Sequence, residues 1–418
     1  MTAVMRHPFL CAVLVCASVA WSGAAHAQSY DSLLDQGYAA IEAGNWSDAS
    51  KAFKQALKVQ KGGVEATWGL GLVMIRKGDF HGAKGQCTKF TKTHKDSPWS
   101  YTCLGYAYLV WKKWGLAQES FGKALAIDPN FALAIAGNGH ALVIAVKTDE
   151  AVKEYKKALE KDPQNIEALL GLAEIYVNRG AMDDAAELCE KAVAAHPGSC
   201  RARLMLARAL GKGDVAIGHA KKALEIRPGW DEGYLVLGEV SYASGKYPEA
   251  INALTEAIKL EPGYVQAEKL IGMCYYEQGE YTQAIEKLGI VLTKVPNLPD
   301  AAMVVAMSHD ALNEYDTAVE AYKTAINLDS KNPVPLLRLG DLYYRMGKST
   351  SALSMLDKAI ALKSDLSLAH KIMGDIYFEN KQYLMSGKSY EKALAGDRKD
   401  IDVSFVEQRV KQIKSMTK

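Results

Sequence analysis

Residues 231–264 read DEGYLVLGEVSYASGKYPEAINALTEAIKLEPGY. Counting Asp231 as place one, Gly238 stands at place eight, Gly245 at fifteen, Tyr247 at seventeen and Ala250 at twenty. Leu254 stands at place twenty-four, Ala257 at twenty-seven and Pro262 at thirty-two. The same pattern recurs every 34 residues from Tyr30 to Asp400, in eleven copies starting at Tyr30, Val64, Pro98, Ala132, Ile166, Cys200, Asp231, Val265, Pro299, Pro333 and Ser367. Ten copies have the full length. The sixth, Cys200–Trp230, is 31 residues long and loses its three residues at Gly211-Lys212-Gly213-Asp214, a turn.

The places have physical roles. Each copy reads as two helices, over roughly places two to fourteen and eighteen to thirty-one. Gly or Ala at place eight and Ala at place twenty let the two helices approach closely. Gly at place fifteen (Gly44, Gly78, Gly180, Gly245, Gly279, Gly347) ends the first helix in a left-handed residue. Pro at place thirty-two (Pro129, Pro163, Pro197, Pro228, Pro262, Pro296) stops the second. Large residues at places seven, eleven and twenty-four fill the gap between neighbours. The fourth and eleventh copies depart at place fifteen, with Val146 and Lys381. At those turns the pattern supplies no glycine, so it leaves their local geometry open.

This register resembles the tetratricopeptide repeat family over residues 28–400. The resemblance implies an all-α solenoid: a right-handed superhelix of eleven helix-turn-helix units, whose first helices line a concave groove. Residues 401–418 read as a capping helix. Val403, Val406, Val410 and Ile413 cover the last repeat, while Arg409, Lys411, Lys414 and Lys418 face water, as an open-ended stack requires.

Residues 1–27 stand outside the repeat. Arg6 precedes an apolar run from Pro8 to Ala20, and Ala25 and Ala27 form an A-x-A cleavage site. The expectation is a removed signal peptide, a mature chain from Gln28, and export, most simply to a bacterial periplasm. The formal charge of +2 falls to about +1 once Arg6 leaves, so net charge selects no partner. Of seven cysteines, Cys87, Cys103, Cys189, Cys200 and Cys274 remain. Cys87 and Cys103 lie at similar heights on adjacent helices. Either they pair, or each is a small buried apolar residue.

The sequence carries no catalytic constellation. His81, His94, His140, His196, His219, His309 and His370 form no HxH, HxxH or HExxH pair. Gly69-Leu70-Gly71 and Gly137-Asn138-Gly139 are packing glycines, with no Gly-Lys-Ser/Thr to make a phosphate loop. No metal or cofactor is expected, and no enzyme activity.

Two surfaces stand out. In the resembled family, places two, five, nine, twelve and thirteen face the groove. Here they give an apolar and aromatic N-terminal stretch that includes Trp68, Leu72, Tyr106 and His140. The C-terminal stretch is aromatic and acidic, with Lys269, Arg345 and Lys371 interspersed, and includes Tyr242, Tyr276, Asp341, Tyr344, Asp375 and Phe378. Aromatic rings give contact area at low entropy cost. The expected partner is a peptide or helical segment of another envelope protein, held by a scaffold. A carrier of hydrophobic clients in the apolar stretch is the alternative.

The second surface is basic. Between Lys51 and Lys95, ten basic residues face only Glu65 and Asp79, a local net of +8. Lys51, Lys54, Lys58 and Lys61 share one helix face. Lys84, Lys89, Lys92 and Lys95 hold nearly the same places one copy later. This convex patch is either a solvated face or a contact for an anionic polymer or membrane surface. After export, nucleic acid is not an expected partner.

Overall fold

The computed structural model describes residues 29–416. The leader expected at residues 1–27, and Lys418, lie outside them. Among the described residues there are twenty-three helices and no strand. The chain divides into two compact units, Met1–Lys246 and Tyr247–Lys418.

The first unit holds α1 (Tyr30–Glu42), α2 (Trp46–Val59), α3 (Val64–Lys77), α4 (Phe80–Thr93), α5 (Pro98–Val110), α6 (Trp114–Ile127) and α7 (Ala132–Ile144). It continues with α8 (Thr148–Lys161), α9 (Ile166–Asn178), α10 (Met182–Ala195), α11 (Cys200–Leu210), α12 (Asp214–Ile226) and α13 (Asp231–Ala243). The second holds α14 (Tyr247–Leu260), α15 (Val265–Glu277), α16 (Tyr281–Lys294), α17 (Pro299–Ala311) and α18 (Tyr315–Leu328). It ends with α19 (Pro333–Arg345), α20 (Ser349–Leu362), α21 (Ser367–Glu379), α22 (Tyr383–Ala395) and α23 (Val403–Met416).

Every repeat start read from the sequence is the first residue of an odd-numbered helix. The shortened sixth copy keeps both helices and turns through two left-handed residues, Gly211 and Gly213. Val146 and Lys381 do not alter their turns. Both adopt the positive φ that glycine takes elsewhere at place fifteen, +61° and +59°, as do Lys112 and Asn313. The geometry of the turn overrides the residue.

The core is a series of wedges. Phe53, Phe121 and Tyr155, all at place twenty-four, are fully buried. Each ring lies against the place-eight glycine of its own repeat and a glycine at place six of the next. A Cβ on Gly69 would stand 2.5 Å from the Phe53 ring, one on Gly171 2.5 Å from Tyr155, and one on Gly137 as close to Phe121. Gly69 and Gly137 are therefore receptor sites for the preceding repeat's ring.

Where place twenty-four shrinks, place six grows. Cys189 shares a core cluster with Met205, Leu288 with Val304, and Leu356 with Ile372. In the second repeat the wedge is covalent. Cys87 at place twenty-four is bonded to Cys103 at place six of the next repeat, with Cα atoms 5.4 Å apart. Of the two readings left open by the sequence, the structure takes the disulfide.

α23 closes the second unit, burying Val406, Val410 and Ile413 beside Tyr390 and Ala393. Arg409 departs from the expectation that it faces water. Its guanidinium lies 4.3 Å from the Phe378 ring and 5.1 Å from that of Phe405. At places five and nine of a notional twelfth copy, Phe405 and Arg409 extend the row of groove-facing positions.

The wedge gives a test. Gly137→Ala should cost about 1–3 kcal/mol by overpacking against Phe121. Adding Phe121→Leu, the pairing used at Leu288–Val304, should recover most of that loss in the urea midpoint. Simple additivity of the two losses would show that the residues do not share one volume.

Candidate functional site

In the first unit the odd-numbered helices pack in order from α1 to α13. The side chains expected to line an open groove there are largely interior. Trp68 is 5% exposed and Tyr106 9%. Trp68 meets Trp99 edge-on at 5.5 Å and Tyr106 at 6.2 Å. Tyr106 continues the row onto Phe121 at 5.4 Å and His140 at 6.0 Å. Leu72 packs half-buried against the same cluster. Each ring occupies the seam between its own helix and the next, so the expectation that Trp68 and Tyr106 face an open groove is corrected.

A buried ionic cluster lies on the same side. Glu167, in the first turn of α9, is 8% exposed. Arg76 of the second repeat reaches it directly across 91 residues of sequence. Arg201 of the sixth donates to it at 2.9 Å, and His140 Nε2 stands 3.6 Å away. Burial alone would raise the Glu167 carboxyl. Arg201 and Arg76 outweigh it and hold the group well below the usual carboxylate range. Burial also pushes the Tyr155 phenol far up, so it keeps its proton. Its hydroxyl shares a 2.8 Å hydrogen bond with His140 Nδ1, which orients the imidazole so that Nε2 is the ring nitrogen nearer Glu167.

The first and sixth repeats also touch. The Glu42 carboxylate at the end of α1 accepts the Cys200 N–H at the start of α11, at 2.9 Å. The Arg227 guanidinium lies over Trp46 at 5.4 Å and over Trp230 at 5.0 Å. These contacts close the inner side of the unit. Burial, followed by the nearby Glu42 charge, pushes the Cys200 thiol up to about 12, so it is inert as a nucleophile. Tyr242, in α13, is half-buried.

The second unit keeps an accessible cleft of about 420 Å³. Tyr276, Met307, Asp310, Tyr322, Arg338 and Arg345 line it. Acids in and beside the cleft row are paired with cations. Arg345 bonds Asp310 at 2.6 Å and Asp341 at 3.2 Å, Lys371 bonds Asp375 at 2.7 Å, and Lys269 bonds Asp300 at 2.5 Å. Tyr344 donates to Glu379 at 2.7 Å, and Tyr390 to Asp375 at 2.6 Å. Lys269, Arg345 and Lys371, interspersed among the acids in the sequence, are the cations that pair with them. Places twelve and thirteen of neighbouring first helices face one another, so Asp310 meets Arg345 and Tyr344 meets Glu379. The groove row omitted Arg338 and Tyr322, which reach the cleft from places six and twenty-four.

Lys51, Lys54, Lys58, Lys61, Lys84, Lys89, Lys92 and Lys95 are all exposed on α2, α4 and the turns after them. None forms a carboxylate ion pair among the described residues. No described helix is long and apolar enough to cross a membrane.

Models described as tetratricopeptide repeat match residues 34–83, 142–209, 241–307 and 336–362. A further model, described as TPR repeat, matches residues 311–347. The chain belongs to the tetratricopeptide repeat family. Similar solved structures include yeast Tom70, 16% identical with a TM-score of 0.47, covering 93% of this chain and 96% of that one. Cut9 in the APC/C hetero-tetramer Cut9–Hcn1 is 15% identical, TM-score 0.48, with 92% and 96% covered. A thermophilic tetratricopeptide protein of Thermus thermophilus is 22% identical, TM-score 0.37, with 44% and 99% covered. No curated protein sequence matches the chain significantly.

Within this tetratricopeptide array, Glu167 supplies a prediction. Glu167→Gln leaves Arg76 and Arg201 facing each other without a counter-charge and should cost about 3–5 kcal/mol in denaturant unfolding. The folded carboxyl titrates below its ordinary value of 4.5. Its contribution is therefore complete above that pH and is lost as pH falls through the depressed folded value. The variant should show a flatter acid limb of stability than the parent. An unchanged limb would mean that the cluster does not hold the repeats together.

Proposed function

We propose that this tetratricopeptide protein is a non-enzymatic scaffold of the cell envelope, and that residues Tyr247–Lys418 hold an extended or helical segment of a partner protein. Protein interaction is the general role that the repeat family supports. The observation carrying the site is the contrast between the units. The inner side of the first is filled by Trp68, Tyr106 and the Glu167 cluster, while the second keeps the cleft lined by Tyr276, Arg338 and Arg345. Tyr344, Phe378 and Arg409 continue the cleft-side row. Aromatic rings and Arg groups are the residue types that concentrate binding energy.

The export reading is supported by the leader pattern at Pro8–Ala27 and by the Cys87–Cys103 bond, since disulfides persist in oxidising compartments. Protein recovered from an exporting host and denatured without reductant should alkylate at Cys189, Cys200 and Cys274 and leave Cys87 and Cys103 unmodified. Alkylation at all five would place the mature chain in a reducing compartment.

A photocrosslinking residue at position 344 should trap a defined protein adduct in the native host, and the same residue at exposed position 287 on α16 should not. Arg338→Ala with Arg409→Ala should weaken capture of that partner about tenfold or more. Equal trapping at both positions, or undiminished capture, would remove the cleft as the site.

A further inference from the structure

We propose that the turn edge of the second, third and fourth repeats docks on an anionic lipid bilayer. This edge is separate from the cleft of the second unit and independent of the reading given to it. Trp111 is 46% exposed, Trp114 43%, Leu116 41% and Val146 85%. Trp111 stacks on Phe80 of the preceding repeat with centroids 4.5 Å apart, so neighbouring turns form one surface. Val143 and Ile144, at the end of α7, extend it to the fourth repeat.

The edge is cationic as well as apolar. The Lys84 ammonium lies 5.8 Å from the Phe80 ring and 6.0 Å from Trp111, and Lys113 lies 5.1 Å from Trp111. Nearby carboxylates are already engaged. Asp79 accepts the Gly82 N–H, Glu119 holds Lys123, Asp149 holds Arg179, and Glu150 holds Lys147. Lys84, Lys112 and Lys113 form no carboxylate ion pair among the described residues. Lys84 also joins the edge to the exposed lysines of α2 and α4.

The composition distinguishes a bilayer from a protein partner. The centres of protein interfaces are depleted of Lys. Membrane surfaces instead favour Trp at headgroup level, flanked by Lys whose charge meets anionic lipid. Val146 adds an independent sign. A β-branched residue at φ +61° is strained, and glycine occupies the equivalent place in six other repeats. Here strain is accepted and an apolar side chain is carried outward, which fits insertion into the acyl boundary.

The test uses the chain freed of residues 1–27, sedimented with phosphatidylglycerol-rich or with phosphatidylcholine vesicles. Retention should require phosphatidylglycerol and decline with salt, and brominated acyl chains should quench tryptophan emission. Trp111→Ser with Trp114→Ser should lower partitioning about tenfold and remove the quenching. Val146→Gly relieves the strained turn, so it should unfold at an equal or higher temperature than the parent while partitioning more weakly. That variant separates docking from folding. Equal retention on both vesicle types, binding to soluble polyglutamate without binding to vesicles, or full partitioning by Val146→Gly would each overturn the proposal.

Discussion

The structure depends on a volume that must be filled where one repeat meets the next. The second helix of a repeat presents place twenty-four to the first helix of its successor, at place six, sixteen residues later. Three rings meet glycine there, at Phe53–Gly69, Phe121–Gly137 and Tyr155–Gly171, while the buried rings Tyr322 and Tyr390 stand opposite Arg338 and Val406. A smaller side chain requires a larger partner, as at Leu288–Val304. Interiors packed at crystal density tolerate neither a void nor an added methyl at such a point. The fixed spacing of the pattern follows from that constraint, since a one-residue slip would unseat every wedge. The Cys87–Cys103 bond satisfies the same constraint covalently.

Stacking alone leaves curvature undetermined, and in the first unit the buried charges restrict it. Glu167 is acceptable in a nearly dry position only when Arg201 and Arg76 both reach it. Those residues come from the fifth, sixth and second repeats, so the cluster completes itself at one arrangement of the stack. The Glu42–Cys200 contact falls at that same arrangement. Consequently the inner side of this unit is structural, whereas in the second unit charges pair mainly between neighbouring repeats.

The sequence made the repeats legible to the residue because close-packing glycines, turns and stops are local requirements repeated eleven times. The closure of the first unit was not legible. It rests on small rotations accumulated over five repeats, and no pattern within one copy encodes their sum. Trp68 and Tyr106 illustrate the consequence: their places identify the face they lie on, but not whether that face is open. The bracing of the acidic residues was within reach. Asp310 and Arg345 are 35 residues apart, as are Tyr344 and Glu379, and that spacing joins place twelve of one copy to place thirteen of the next.

Place fifteen separates local preference from imposed geometry. Its backbone is left-handed whether the residue is Gly, Asn313, Lys112, Lys381 or Val146. Asn tolerates that conformation through its short polar side chain, and Gly meets no steric penalty. Valine has neither advantage, so packing on both sides of the turn must hold it there. Lys112 and Lys381 share its backbone, so the repeat imposes this conformation even on residues that do not favour it. At Val146 it coincides with a run of exposed apolar residues on the same turn edge, Trp111, Trp114, Leu116 and Ile144 among them.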